Sequence, residues 1–418
     1  VTAAEDTLPS EPADVVVVGA GPAGLAAAVE LRRLGAARVV VLDREPTAGG
    51  IPRHSDHPGY GVRDLGRVLS GPGYARRWAE LAEGSGAEVR VSSTVTALDP
   101  GTLRLEVTSP QGRYALSAGA VVLATGCRER PRSARLLPGD RPAGVYTTGW
   151  LQQLVHLQHR SPGTRAVVVG AEHVSFSAVR TLGQGGCDTV AMVTSEPGHT
   201  SFAAFHLGAR GRYRFPLLAS SRVTAVNGHG RVESVDVAGQ DGSVRRIPCD
   251  TVVLTGDWVP DNELARWSGV PVDDGTRGPV VDAALRTPVP GVFAVGNLVH
   301  AAETADVCAL DGRHVGAAVL AHLLGSAWPA HEVHVEVEPP LLWVAPQRVS
   351  TLARPARGRV LLRTSTRLRL ARLEVRQGSR LLWSGRIAQG VPTRSLSIPS
   401  GWIGAVDPTG GPVVVRLG

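Results

Sequence analysis

The feature that most constrains this chain is Gly19-Ala20-Gly21-Pro22-Ala23-Gly24, a GxGxxG set between a run of valines and an Ala/Leu-rich segment. Asp14-Val15-Val16-Val17-Val18 reads as a buried strand, and the stretch from about Pro22 to Leu34 as a helix ended by Gly35. In that setting each glycine has its own reason. The first permits a tight turn, the second lets the backbone approach a pyrophosphate, and the third lets helix and strand pack closely. The helix N-terminus behind the turn offers free N–H groups and a positive dipole end to an anion. Val39-Val40-Val41-Leu42 reads as the next strand. Asp43 ends it, about 20 residues after Gly24, where a carboxylate accepts hydrogen bonds from an adenosine ribose. The result is a strand–turn–helix–strand unit suited to a dinucleotide.

A second such unit follows. Arg165 to Val169 reads as a strand, about 173 to 183 as a helix, and Thr189 to Val193 as a strand. Its turn, Gly170-Ala171-Glu172-His173-Val174-Ser175, has lost the second and third glycines to Glu172 and Ser175. A carboxylate there repels a pyrophosphate unless it points away. Thr194 stands where an acid would mark NAD, and no Arg pair follows it to mark NADP. Two readings stay open: a nicotinamide site, or a retained fold with a lost or altered one. Elsewhere the pattern predicts a Gly/Pro/His-rich loop over 49–61, a helix near 72–84 and alternating strands to about 117. A short buried strand, Ala120–Leu123, a Pro/Arg-rich connector over 128–144 and a helix near 149–159 follow. Strands recur over 222–237 and 244–254, and a long helix runs from about Asp306 to Leu324.

The expected fold is α/β: two Rossmann-like dinucleotide-binding domains, one inserted in the other, plus a C-terminal all-β sandwich-like domain. The split first domain takes 1–148 and 278–329, the inserted one 149–277, and the β domain 330–418. Short strands at regular spacing suggest the sandwich. Trp343, Trp383 and Trp402 supply it with a small core, and it is expected to be a separate module, removable near residue 330 without loss of flavin.

Gly49-Gly50, Ala124-Thr125-Gly126 and Pro290-Gly291-Val292-Phe293-Ala294-Val295-Gly296-Asn297 resemble the FAD-contact motifs of pyridine nucleotide-disulfide reductase-like flavoproteins. The resemblance covers about residues 14 to 328. It implies an enzyme, an FAD-dependent oxidoreductase, with FAD as cofactor and NAD(P)H as its electron partner. The implied cofactor-binding set is Gly19, Gly21, Pro22, Ala23, Gly24, Asp43, Arg44, Gly49, Gly50, Ala124, Thr125, Gly126, Gly296, Asn297, Asp306 and Val307. By the same resemblance Gly296-Asn297 approaches the flavin ribityl chain. The helix after it aims its N-terminus at the pyrimidine edge, where a positive dipole end favours negative charge on a reduced ring. The family usually has Gly-Asp at this point, and Asn297 can hydrogen-bond but supplies no charge.

Longer segments, Gly49 to Gly61, Ser70 to Ala75 and Ala124 to Arg130, resemble the reductase subunits that accompany anaerobic glycerol-3-phosphate dehydrogenase-type proteins. More distantly they resemble the α subunits of opine and hydroxyproline dehydrogenases. Relatives often carry Cys where this chain has Ser55, and the iron–sulfur cysteines of some are missing. The loop after Gly49-Gly50 borders the isoalloxazine in this family. That makes His54 and His57 candidate catalytic residues, moving a proton as hydride moves, with Asp56 between them. The competing reading is a loop histidine bonded to backbone.

Composition narrows the rest. The 418 residues are 43% hydrophobic and 19% charged, which suits a folded chain rather than a disordered one. The first residues, VTAAEDTLPSEPAD, lack a basic, apolar leader pattern and read as a short disordered leader. No apolar run is long enough to span a bilayer. Cys127, Cys187, Cys249 and Cys308 stand far apart, so no local redox pair or zinc knuckle forms, and so few cysteines suit a reducing cytoplasm. Cys187 and Cys249 read as core, and Cys308 as a neighbour of the flavin. His156/His159 and His331/His334 have helix-like spacing without a third ligand, so they read as surface residues and no metal is expected. All 44 basic residues are Arg, against 37 acidic, for a net charge of +7. The excess is densest after residue 345 and no nucleic-acid motif accompanies it, so a solvated basic face, or one that docks an acidic partner or a second copy, fits better. Three functions remain: NAD(P)H reduces FAD, which passes electrons to a small molecule or protein; the flavin oxidises an amine or other metabolite directly; or the chain is an electron-relay subunit.

Overall fold

The computed structural model describes residues 8–201, 211–329, 332–351 and 353–418. The start of the expected leader, 1–7, and His331 lie outside the described residues.

The first sheet is built on Ser10–Val18, with Val39–Leu42 parallel on one side and Gly112–Leu123 parallel on the other. Among the described residues it has seven strands, with Glu88–Arg90, Arg104–Ser109, Thr94–Asp99 and Val292–Ala294 completing it. Strand alternation splits its valines between two faces. Val15, Val17, Val39 and Val41 face the helices Pro22–Leu34 and Ala305–Leu323, while Val16, Val18, Val40 and Leu42 face the other side. Pro22–Leu34 begins at its proline and ends at Gly35 with φ 101°, as its sequence dictates. The two helices cross so closely that a Cβ on Gly312 would lie 2.1 Å from the Ala23 carbonyl oxygen.

The expected leader is corrected here. Residues 10–13 pair with Ala115–Ala118 and lengthen the first strand, an edge extension supported by its neighbour and not by its own polar sequence. Ala120–Leu123 is the end of a twelve-residue strand. The 49–61 loop holds a 3-10 turn, Ile51–His54, and a short strand, Pro58–Tyr60. In the connector, Cys127–Glu129 pairs antiparallel with Trp258–Pro260 as a two-stranded ribbon between the folds. The helix near 149–159 is an α-turn, Thr148–Gln152, followed by a π-turn, Gln153–Leu157.

The second fold has Arg165–Val169 parallel to both Asp188–Val193 and Thr251–Leu254, with helix His173–Gln184 against it. The antiparallel strands Ser221–Asn227, Ser234–Gly239 and Val244–Pro248 form a separate sheet. After residue 332 two sheets face each other. Val333–Val337, Val413–Leu417, Leu368–Gln377 and Arg380–Gly390 join Arg348–Val349 in one. Leu341–Ala345, Arg359–Thr364 and Leu396–Pro399 form the other. Trp402 is buried between them and Trp383 packs at the edge of that core. Trp343 is a correction: it lies in the core of the first sheet's outer face, with Val16, Val121, Leu298 and Val299. Trp343, Ala345 and Leu361 therefore cover the outer face of the first sheet.

Candidate functional site

The first glycine turn is held by the fold and left open at its centre. Gly19 has φ 112°, and a Cβ there would strike Ala124 O at 2.4 Å. A Cβ on Gly24 would strike Gly19 O at 1.9 Å. Gly21 differs: a Cβ there would meet nothing within 4 Å. No side chain caps the helix it starts, and its first turn holds no acid. The free N–H groups and the clear space are what a pyrophosphate needs, so these residues fit FAD. Asp43 secures the turn, one carboxylate oxygen accepting from Ala20 N at 2.6 Å and the other from Glu45 N at 2.8 Å. Burial pushes its carboxyl above the usual carboxylate range. Arg44 is exposed and pairs with Asp261 at 3.0 Å.

Gly49-Gly50 rests on the same turn. Gly49 N donates to Ala20 O at 2.7 Å, and a Cβ on Gly50 would lie 2.9 Å from Gly21 Cα. Ala124 N donates to Val18 O at 2.8 Å, and Thr125 Oγ1 donates to Asp261 O at 2.7 Å. Gly126 has φ 76° with open space beside it. Gly296 has φ 66°, and its Cβ would press on Ala23 at 2.8 Å. Thus the sequence motifs converge on one helix start. Asn297 is turned away from the expected role: its amide donates to Glu303 O at 3.1 Å and accepts from Glu303 N at 2.6 Å. It clasps the 297–303 loop. Asp306 lies in the first turn of Ala305–Leu323, accepts from Val307 N at 3.0 Å, and faces Arg63 at 3.8 Å.

The two candidate histidines separate. His54 is 2% exposed, its Nδ1 facing Gln152 Oε1 at 3.4 Å. Burial pulls its imidazole down to about 4, so it is neutral at neutral pH. His57 bonds the Pro58 carbonyl at 2.9 Å and packs on Tyr60 with ring centres 5.1 Å apart, the backbone-bonded alternative. Gln152, missed from sequence, links His54 to the second fold through Ser177 Oγ at 3.0 Å. The four cysteines are free thiols. Burial pushes Cys127 and Cys187 up to about 12, Cys249 to about 11, and Cys308 well above its ordinary value. Cys187 and Cys249 sit in the two cores of the second fold. Cys308 lies beside Gly296. His159 and His334 are exposed, whereas His156 is half-buried with both ring nitrogens unpartnered, a correction to its surface reading.

The second glycine turn is filled. Glu172 starts helix His173–Gln184 as its N-cap, and its carboxylate accepts from Ala171 N at 3.0 Å and from the Ser175 backbone N–H. Ser175 Oγ accepts from Glu172 N at 3.2 Å and bonds Thr255 Oγ1 at 2.7 Å. As built, this turn does not fit a dinucleotide pyrophosphate.

Residues 13–312 match the pyridine nucleotide-disulphide oxidoreductase family. The chain belongs to that family. It is an FAD-dependent oxidoreductase, and the family works with FAD and NAD(P)H. The chain is 29% identical over 297 residues to "Probable ferredoxin reductase CtmF" of Castellaniella defragrans, covering 68% of this chain and 67% of that one. It is 29% identical over 347 residues to an opine oxidase subunit of Agrobacterium tumefaciens, covering 74% of this chain and 66% of the other. The chain thus spans about two thirds of the length of these relatives. Thioredoxin reductase of T. acidophilum superposes with a TM-score of 0.63 at 23% identity, over 75% of this chain and 99% of that one, a likeness of fold. Among the described residues no helix is long and apolar enough to cross a membrane.

Proposed function

We propose that this chain is the flavin-bearing component of an electron-transfer or dehydrogenase assembly. It exchanges two electrons between NAD(P)H and a small-molecule or protein acceptor without a redox disulfide. The observation that carries the reading is the first glycine turn, open at Gly21 and uncapped at its helix start. When bound, FAD supplies hydride chemistry at its ring. The chain's part is to seat the pyrophosphate at Gly19–Gly24, the adenosine ribose near Asp43 and Arg44, and the ring near Gly49-Gly50, Ala124–Gly126 and Gly296–Val307. Neutral, buried His54 is the group we assign to proton movement beside the ring, His57 being engaged with the Pro58 carbonyl. The division into a split flavin domain, 1–148 and 278–329, an inserted domain, 149–277, and a β domain, 330–418, belongs to the same reading.

The partner is proposed as a second protein chain, because one relative is named as part of an opine oxidase made of several chains. The likeness to reductase subunits of anaerobic glycerol-3-phosphate dehydrogenase-type assemblies points the same way. Four unpaired thiols suit a reducing compartment such as the cytoplasm. A second reading, direct oxidation of an amine or similar metabolite, is favoured by Glu172 in the second turn. Anaerobic titration of the yellow protein separates them: bleaching by NADH or NADPH supports the first. Bleaching only by amines or amino acids overturns it in favour of the second.

A further inference from the structure

The two glycine turns are similar in sequence plan and opposite in state. At the first, the helix start is bare and the space before it is clear. At the second, Glu172 places its own carboxylate on the N–H groups of Ala171 and Ser175. The Ser175 N–H belongs to the first turn of the helix and the Ala171 N–H to the glycine turn just before its N-cap, which is where a dinucleotide phosphate would be held. The carboxylate lies close against two glycines whose lack of side chains leaves it room. A Cβ on Gly170 would lie 2.8 Å from Glu172 Oε2, and one on Gly256 would lie 3.0 Å from its Oε1.

The surroundings add negative charge and closure. Glu172 Oε1 is buried without a partner, as is Oε1 of Glu129, a residue 8% exposed whose carboxyl is raised by burial, the charge of Glu172 adding a smaller push. Arg135 stands near both carboxylates, but its guanidinium donates to the carbonyls of Arg130, Thr255 and Gly256, each at 2.8 Å. The loop after Asp188–Val193 folds over the turn, with Thr200 N donating to Ala171 O at 3.0 Å. Arg367 of the β domain holds that loop, pairing with Glu196 at 2.9 Å and donating to Gly198 O at 2.9 Å.

We propose that Glu172 is a resident substitute for the dinucleotide phosphate, so that NAD(P)H enters the second fold only by displacing this carboxylate from the helix start. Glu172 thereby sets how tightly the chain holds its nicotinamide. The inference rests on the reading that NAD(P)H serves this flavoprotein.

The test is fluorescence titration of the FAD-loaded protein with NADH and with NADPH, for wild type, Glu172→Asn and Glu172→Gly. Asn keeps a neutral N-cap acceptor, so the helix start survives while the charge goes. Gly clears the turn altogether. Both variants are expected to bind at least tenfold more tightly than wild type, with thermal midpoint and FAD content retained. Equal affinity in all three, weaker binding in the variants, or no binding in any of them overturns the inference. Failure of the donor reading shows separately: the variants bind more tightly, yet bound nicotinamide leaves the anaerobic flavin spectrum unchanged.

Discussion

At Gly21 the backbone has φ −79°, open to any L-residue, and an added Cβ would meet nothing within 4 Å. Gly19 and Gly24 are required by the fold, because their Cβ atoms would strike backbone. Gly21→Val is therefore expected to fold with a thermal midpoint close to wild type but to be purified colourless, its side chain filling the pyrophosphate path. A yellow Gly21→Val protein with full flavin content would remove the assignment of this turn. The thiols make a second case at this scale. Only a thiolate attacks a disulfide. Burial holds Cys127 near 12 and Cys308 well above its ordinary value, and charge on Cys127 further disfavours charge on Cys308. Cys127→Ser and Cys308→Ser, singly, are expected to leave flavin reduction and reoxidation within about twofold of wild type. A large loss of turnover at full FAD content, measured by stopped flow, would show a thiol in the electron path.

The ribbon of Cys127–Glu129 and Trp258–Pro260 joins the two folds, and Glu129 is its buried charge, accepting from Gly149 N at 2.8 Å. Burial raises its carboxyl from 4.5 to about 7. The folded state thus holds a proton that the unfolded state releases between those values. Its contribution is fully present below about pH 4.5 and is lost as pH rises through 7. Glu129→Gln keeps an acceptor for Gly149 N without the charge. The variant is expected to gain stability at pH 8, by up to about 3 kcal/mol, and almost none at pH 4.5. Urea melts at the two pH values check this, and an equal effect at both would contradict it. Elements of this kind also mark where sequence pattern stops being informative. Pro22–Leu34, Val39–Leu42 and Arg165–Val169 were legible to the residue because local period and end signals agree there. Residues 10–13 were not, since their strand depends on Ala115–Ala118. In the site, the first glycine turn was legible and the clasp of Asn297 on Glu303 was not, because a six-residue loop closure leaves no periodic trace. Glu172 was legible as a misplaced charge. Its capping was hidden because the usual order, hydroxyl at the N-cap and acid three residues on, is reversed in Glu172 and Ser175.

The β domain and the first fold share a core, and that sharing reaches the flavin motifs. Trp343, 7% exposed, packs on the outer face of the first sheet and against His300, with ring centres 5.1 Å apart. Arg363 lies over the same indole at 5.3 Å and donates to Ala301 O at 2.8 Å. Gln347 Oε1 accepts from Val281 N at 3.1 Å. Val299, His300 and Ala301 follow Gly296-Asn297 after Leu298, so the domain braces the loop that the flavin motifs end on. Removing a buried tryptophan side chain costs about 3–5 kcal/mol, a large share of the stability of an ordinary domain. A chain ended at Pro329 would lose Trp343 together with Ala345 and Leu361, which cover the same face. It is expected to aggregate or to be recovered with little flavin. Trp343→Ala in the full chain is expected to lower both thermal midpoint and FAD occupancy. Trp383→Ala tests whether the effect is specific to this contact. Trp383 packs only at the edge of the sandwich core, so its loss should destabilise the β domain while flavin content holds. Absorbance at the flavin band per mole of protein measures the outcome for all three. A yellow, monodisperse chain ended at Pro329 with full FAD would show that the first sheet does not need its cover.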